Sequence, residues 1–278
     1  MSDSKLRALG QGLAEATLLV AAWTVPLLLN HYGLRIADLP KSALLLALAS
    51  LGGLGAVMAA AESRQRPWRA WLGQPLVAAA LMTGLSAGLA TLLAAQPRLS
   101  FLGSGERAMG LVGILALLAL FAAALGLGRD PARAERLVVA LAAASGPVAV
   151  WALTQAMGLM PVPGRMESAS RVFGSLTNPI FLGAYLMLLL PFALWLSARA
   201  FDQGRRGAAL GWAGLVLLQL AALVLSQSRG PILGLAAAGL VALLAGSLGG
   251  FTRNGTPRAA AAGAVLGLLA PDYGGRHL

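Results

Sequence analysis

RVFGSLTNPIFLGAYLMLLLP, residues 171–191, is the stretch whose reading decides the fold. Its first half is charged and broken by Gly174, Asn178 and Pro179, and its second half runs into continuous apolar sequence. A helix starting near Pro179, with Asn178 as its N-cap and proline at the first helical position, follows from the ordinary preferences at helix starts. Crossing a bilayer requires neither Arg171 nor the Asn-Pro break. An ionisable group at a membrane boundary is a functional hypothesis by default. A second mouth of the same kind lies at SQSRGP, residues 226–231.

Working outward, the rest of the chain has the same apolar character. Of its 278 residues 58% are hydrophobic and 11% charged, and the mean hydropathy is +0.77. A soluble domain carries about 25% charged residues. Apolar runs fall at 13–30, 42–61, 75–95, 109–127, 137–159, 179–198, 209–226, 232–248 and 259–270. Most match the roughly 17–25 residues of a spanning helix, and the last is short. Lipid offers the backbone no hydrogen bonds, so such runs are helices. The expected fold is all-α: one polytopic membrane domain over 1–278 with eight or nine spans.

Placing the N-terminus in the cytoplasm and alternating sides puts thirteen of the 21 Lys and Arg residues inside and eight outside. Each inside loop carries two or three, as the positive-inside bias requires. The N-terminal MSDSKLRALGQG then reads as a cytoplasmic lead-in with no cleavage site behind it. The net charge of +11 comes from short clusters between apolar runs, a topology signal and not a nucleic-acid footprint. There are no cysteines, which excludes disulfides, thiolate ligands and a cysteine nucleophile. Two histidines, His31 and His277, do not make a metal site, and no cofactor is expected. His31, beside Tyr32, reads as an interfacial residue. The glycine pairs Gly84/Gly88, Gly207/Gly211 and Gly230/Gly234 stand four apart, a spacing that lets helices approach closely in lipid. Pro26 and Pro147 lie inside apolar runs and would kink them.

Topology does not explain the outside arginines, so they are the informative ones. Arg171 offers a planar fork of donors suited to phosphate, beside a helix start that favours anions. It reads equally well as a snorkelling side chain. Arg229 sits in a very short Gly-Pro turn, close enough to the surface to reach a lipid-linked phosphate. Arg107, in Gly105–Glu106–Arg107, reads either as a third cation or as half of a solvated pair.

Three stretches together resemble a known family: FLGSGERAMGL at 101–111, RVFGSLTNPIFLGAYL at 171–186 and SQSRGPILGL at 226–235. They are similar, in order and in position at helix mouths, to the O-antigen ligase and O-antigen polymerase family of bacterial inner-membrane glycosyltransferases. The similarity covers roughly residues 75–250. It implies transfer of a glycan from undecaprenyl diphosphate to an acceptor at the periplasmic face, without a metal. The acceptor is lipid A–core, another glycan or a protein; ligase and polymerase share the donor chemistry and differ in the acceptor. Arg171 and Arg229, with Arg107 as a weaker third, would bind the donor diphosphate. The family also carries a large periplasmic loop with a histidine implicated in acceptor activation. Neither that loop nor that histidine is found after residue 270, which leaves the catalytic residue unassigned and implies a C-terminally truncated member, a partial gene product or a shortened relative without full activity.

Two other classes compete. A transporter or flippase for a lipid-linked or anionic solute would use the same arginines, but it should place polar groups deep in its helices. Gln155, Gln219 and Glu15, the last near the start of the first helix, are the few candidates. A purely structural membrane subunit would tolerate loss of every outside arginine.

Overall fold

The computed structural model describes residues 3–29, 38–61, 74–104, 110–159 and 171–248. Nine α-helices run through them: α1 Asp3–Leu27, α2 Asp38–Ala61, α3 Pro75–Leu92, α4 Pro97–Leu102, α5 Leu111–Leu127, α6 Pro131–Ala156, α7 Pro179–Asp202, α8 Arg206–Leu225 and α9 Arg229–Leu248. A 3-10 turn, Gly174–Leu176, precedes α7. Eight of the nine apolar runs are helices, and the run at 259–270 lies outside the described residues, as do Arg107, His31 and His277. Six helices, α1, α2, α3, α6, α7 and α8, are long and apolar enough to cross a membrane; α5 and the apolar part of α9 are shorter. The outer surface suits lipid, since on α3 Leu85 is 73% and Leu92 80% exposed. The protein is therefore an all-α, multi-pass membrane-helix bundle.

The chain forms two compact units, Met1–Leu137 and Val138–Leu278. In the first, small residues govern the packing. A Cβ built on Gly10 would stand 2.7 Å from Ala59 N and Gly55 O, and one on Gly55 would stand 2.7 Å from Ala14 N and Gly10 O. Gly10 and Ala14 on α1 thus meet Gly55 and Ala59 on α2 nearly backbone to backbone, which is how helices without a hydrophobic driving force gain contact in lipid. Ala14, Leu18, Ala123 and Leu127 form the core beside them, so α5 closes over the α1–α2 pair. The glycine spacings at 84/88, 207/211 and 230/234 serve less: Gly84 meets Leu118 and Gly234 meets Met187, but Gly88, Gly207, Gly211 and Gly230 face nothing within 4 Å.

α1 begins at Asp3, about ten residues before its apolar run, because a polar lead-in is no barrier to helix formation. Glu15 therefore lies in the middle of α1 rather than near its start. Its carboxylate receives Arg136 Nε at 2.6 Å and stands 3.4 Å from Arg133 Nη1. Asp130 caps α6, accepting from Ala132 N at 3.0 Å and from Arg133 Nε at 3.1 Å. Desolvation opposes its ionisation, but the N–H groups of Ala132 and Arg133 and the Arg133 charge outweigh it and hold its pKa below the ordinary value.

The second unit is built around α7, whose Leu182, Leu186 and Ala193 are fully buried. Leu190 and Ala193 pack on Val216 of α8. On α6, Ala142, Val148, Ala149 and Ala152 are equally enclosed. Gln219, fully buried on α8, donates through Nε2 to Ser145 Oγ on α6 at 2.6 Å.

Candidate functional site

Everything at the candidate site is organised around the end of α8 and the start of α9. After Leu225 the chain turns through Ser226 and Gln227, whose φ of +49° makes the reversal, and Ser228 leads into α9. The reversal thus falls at Gln227, not at the Gly-Pro pair, and Arg229, Gly230 and Pro231 form the first turn of α9. Arg229 is exposed there.

The approach to α7 lies against this turn. Val172 N donates to Leu225 O at 3.4 Å, and Arg171 Nε donates to Ser226 O at 3.0 Å. Arg171 is thus a C-terminal cap for α8: a cation on the carbonyls that a helix end leaves unpaired, where the helix dipole favours positive charge. Its Nη2 donates to Ser228 Oγ at 3.1 Å, and that hydroxyl donates in turn to Pro179 O at 2.7 Å. One serine, just before α9, therefore bonds the start of α7 directly and accepts from the guanidinium as well. Ser226 and Ser228 are 0% and 2% exposed, so these bonds are shielded from solvent.

Two further contacts fix the approach. Gln155 Oε1, near the end of α6, accepts from the N–H groups of Phe173 and Gly174 at 3.1 and 3.0 Å. Asn178 Oδ1 caps α7 by accepting from Ile180 N at 2.8 Å, and Pro179 takes the first helical position. Gly183 lets α9 come close; a Cβ there would stand 2.8 Å from Pro231 Cγ.

Arg171 and Arg229 thus share one junction, whereas Arg107 lies outside the described residues. The N-termini of α7 and α9 meet there, and the leading N–H groups of each lack intrahelical partners. Between Arg171 and Pro231 the only acidic residue is Asp202, at the far end of α7. Among the described residues of this segment, the charges at the junction are therefore the two cations, Arg171 and Arg229, and cations beside helix N-termini suit an anion. The guanidinium of Arg171 uses its Nε–Nη2 edge on the protein, which leaves the Nη1–Nη2 end for a ligand.

Sequence reasoning found Arg171, Asn178 and Arg229 but not the residues that hold them. Ser228 carried a local signal, a serine just before a helix start that contains proline. Gln155 and Gln219, the candidates for a transport path, are both bonded within the bundle. Among the described residues no group of three His, Cys, Asp or Glu could hold a metal ion. The chain matches no protein-family model, no curated protein and no solved structure, so the junction stands on its own geometry.

Proposed function

We propose that the junction of α7, α8 and α9 binds the diphosphate of a lipid-linked glycan, and that the protein is a glycosyltransferase similar to the O-antigen ligases and polymerases. In this reading the donor is an undecaprenyl diphosphate glycan. The acceptor is a lipid, glycan or protein hydroxyl, and the junction faces the periplasm of a bacterial inner membrane. Counting α5, α9 and the run at 259–270 as spans gives the expected eight or nine crossings, and the Lys and Arg bias of alternate loops puts the N-terminus in the cytoplasm. The observation that carries the reading is Arg171, oriented by Ser226 and Ser228 where two helix N-termini meet, with Arg229 in the adjoining turn.

The chemistry follows from charge. When an acceptor hydroxyl oxygen bonds to the anomeric carbon, its proton leaves to solvent, the bond from that carbon to the diphosphate oxygen breaks, and negative charge grows on the leaving group. Donors fixed in advance at that position stabilise the transition state more than the ground state, and only such differential stabilisation raises the rate. Arg171 meets this condition because the protein holds its edge; Arg229 supplies a second charge from the exposed side.

Binding of an undecaprenyl diphosphate glycan to the protein in nanodiscs tests the reading. Arg229→Ala removes a charge-assisted contact at an exposed position and should weaken binding about tenfold or more. Arg171→Ala should weaken it further, because the α8 cap goes with it. Arg171→Lys should rescue little, since one ammonium cannot reproduce the bonds to Ser226 and Ser228. Wild-type affinity in both single variants and in the double variant would sink the proposal.

A further inference from the structure

The first unit contains a cleft of about 540 Å³ among α1, α2, α5 and the start of α6. That volume lies within the usual range of ligand sites, roughly 300–1,000 Å³. Its two ends differ in chemistry. Along its length the walls are small and apolar, with Ala56 and Ala60 from α2 facing Ala119 and Ala122 from α5. At the other end it is lined by Arg7, Arg129, Asp130 and Arg133, of which Arg7, Arg129 and Asp130 are exposed and so mark the mouth. Asp130 is already committed to the α6 N-terminus and to Arg133. Arg7 makes no hydrogen bond or ion pair with any described residue. Arg133 Nη1 is buried without a hydrogen bond among the described residues; its nearest acid is Glu15, at 3.4 Å. This end of the apolar slot is thus lined by three guanidiniums and Asp130, with Glu15 beside Arg133, and Arg7 is the cation there with no partner among the described residues.

We infer that this cleft holds one anionic phospholipid. The phosphate lies among Arg7, Arg129 and Arg133, and part of an acyl chain lies along the alanine wall. An apolar guest would not need the arginines, and a free phosphate would not need the wall; an anionic amphiphile uses both. Basic pockets between membrane helices recognise phospholipid head groups in this way, each cation near the membrane surface adding about 1 kcal/mol, or roughly fivefold in affinity. The site lies in the first unit and the donor junction in the second, so either can stand without the other.

The test is native mass spectrometry of the delipidated full chain, titrated with palmitoyl-oleoyl phosphatidylglycerol, with phosphatidylcholine of the same chains and with glycerol phosphate. One phosphatidylglycerol should be retained at least fivefold more tightly than phosphatidylcholine, and glycerol phosphate should not be retained. Arg7→Ala should lower phosphatidylglycerol affinity about fivefold, Ala122→Phe should abolish the retained copy by filling the slot, and Arg98→Ala on α4 should change nothing. Equal retention of the two lipids would overturn the inference, as would glycerol phosphate binding as tightly as the lipid. So would wild-type phosphatidylglycerol affinity in Arg7→Ala, an exposed position that does not endanger folding.

Discussion

Gly10 and Gly55 bring two helices of the first unit to backbone contact, and its ion pairs join Arg133 and Arg136 to Glu15 and Arg133 to Asp130. In the second unit the joining groups are uncharged or singly charged and wholly or partly buried: Gln219 on Ser145, Gln155 on two backbone N–H groups, Arg171 on Ser226 and Ser228. The difference teaches where each unit tolerates change. Contact between small residues fails when volume is added. Enclosed hydrogen bonds fail when one partner is removed and the other stays.

Adding volume gives the largest expected effect. Gly55→Ala puts a methyl against backbone that cannot move aside and should cost about 1–3 kcal/mol. Gly183→Ala meets mainly the Pro231 side chain and should cost less, near 1 kcal/mol, while displacing the start of α9. Thermal unfolding in detergent ranks the two, and a reversed order would break the comparison.

Next comes the buried pair. Gln219 Oε1 is buried with no hydrogen-bond partner among the described residues, whereas Nε2 depends on Ser145. Ser145→Ala should therefore destabilise by about 1–3 kcal/mol through the orphaned amide. Gln219→Leu loses a bond worth roughly 0.6 kcal/mol in a membrane protein but also removes the unpartnered oxygen, so it should stay near wild type. The same unfolding measurement decides; a glutamine variant worse than the serine variant would show that Oε1 is satisfied after all.

The smallest effect belongs to the charges. Arg136→Gln removes the exposed member of the cluster, leaves Glu15 paired with Arg133, and should lower Tm by about 2 °C or less, an effect that salt should suppress further. Acid should act through Asp130. Its pKa is depressed in the folded state, so its contribution is complete above the ordinary carboxylate value and disappears as pH falls through the folded value. Asp130→Asn should flatten that part of a stability–pH profile. If the acid limb is unchanged in the variant, the cap contributes nothing.

How much could be read beforehand depended on sequence distance. Hydropathy found eight helices because apolarity along a run is a local property. It misplaced the start of α1, where the helix continues through polar residues, and the start of α6, where Asp130-Pro131 is a local cap signal that apolarity alone passes over. It missed α4, a short helix with no buried residues. At the candidate site, Arg171 and Asn178 stood out by type and position. The partners of Arg171 lie 55 and 57 residues away, and no periodicity joins them. The close approach of α1 and α2 pairs each glycine with an alanine four residues on, a spacing that glycine pairs alone do not mark.

The same separations, read as time, order the assembly of the protein. Chains lengthen at about 5–20 residues per second. Gln155 needs only 18 further residues before Phe173 exists, so the approach to α7 is tied within seconds of synthesis. Glu15 is 121 residues ahead of Arg136. At that rate α1 carries its carboxylate for about 6–24 s before this cation is made, a longer wait than that of Arg171 for Ser226 or of Ser145 for Gln219.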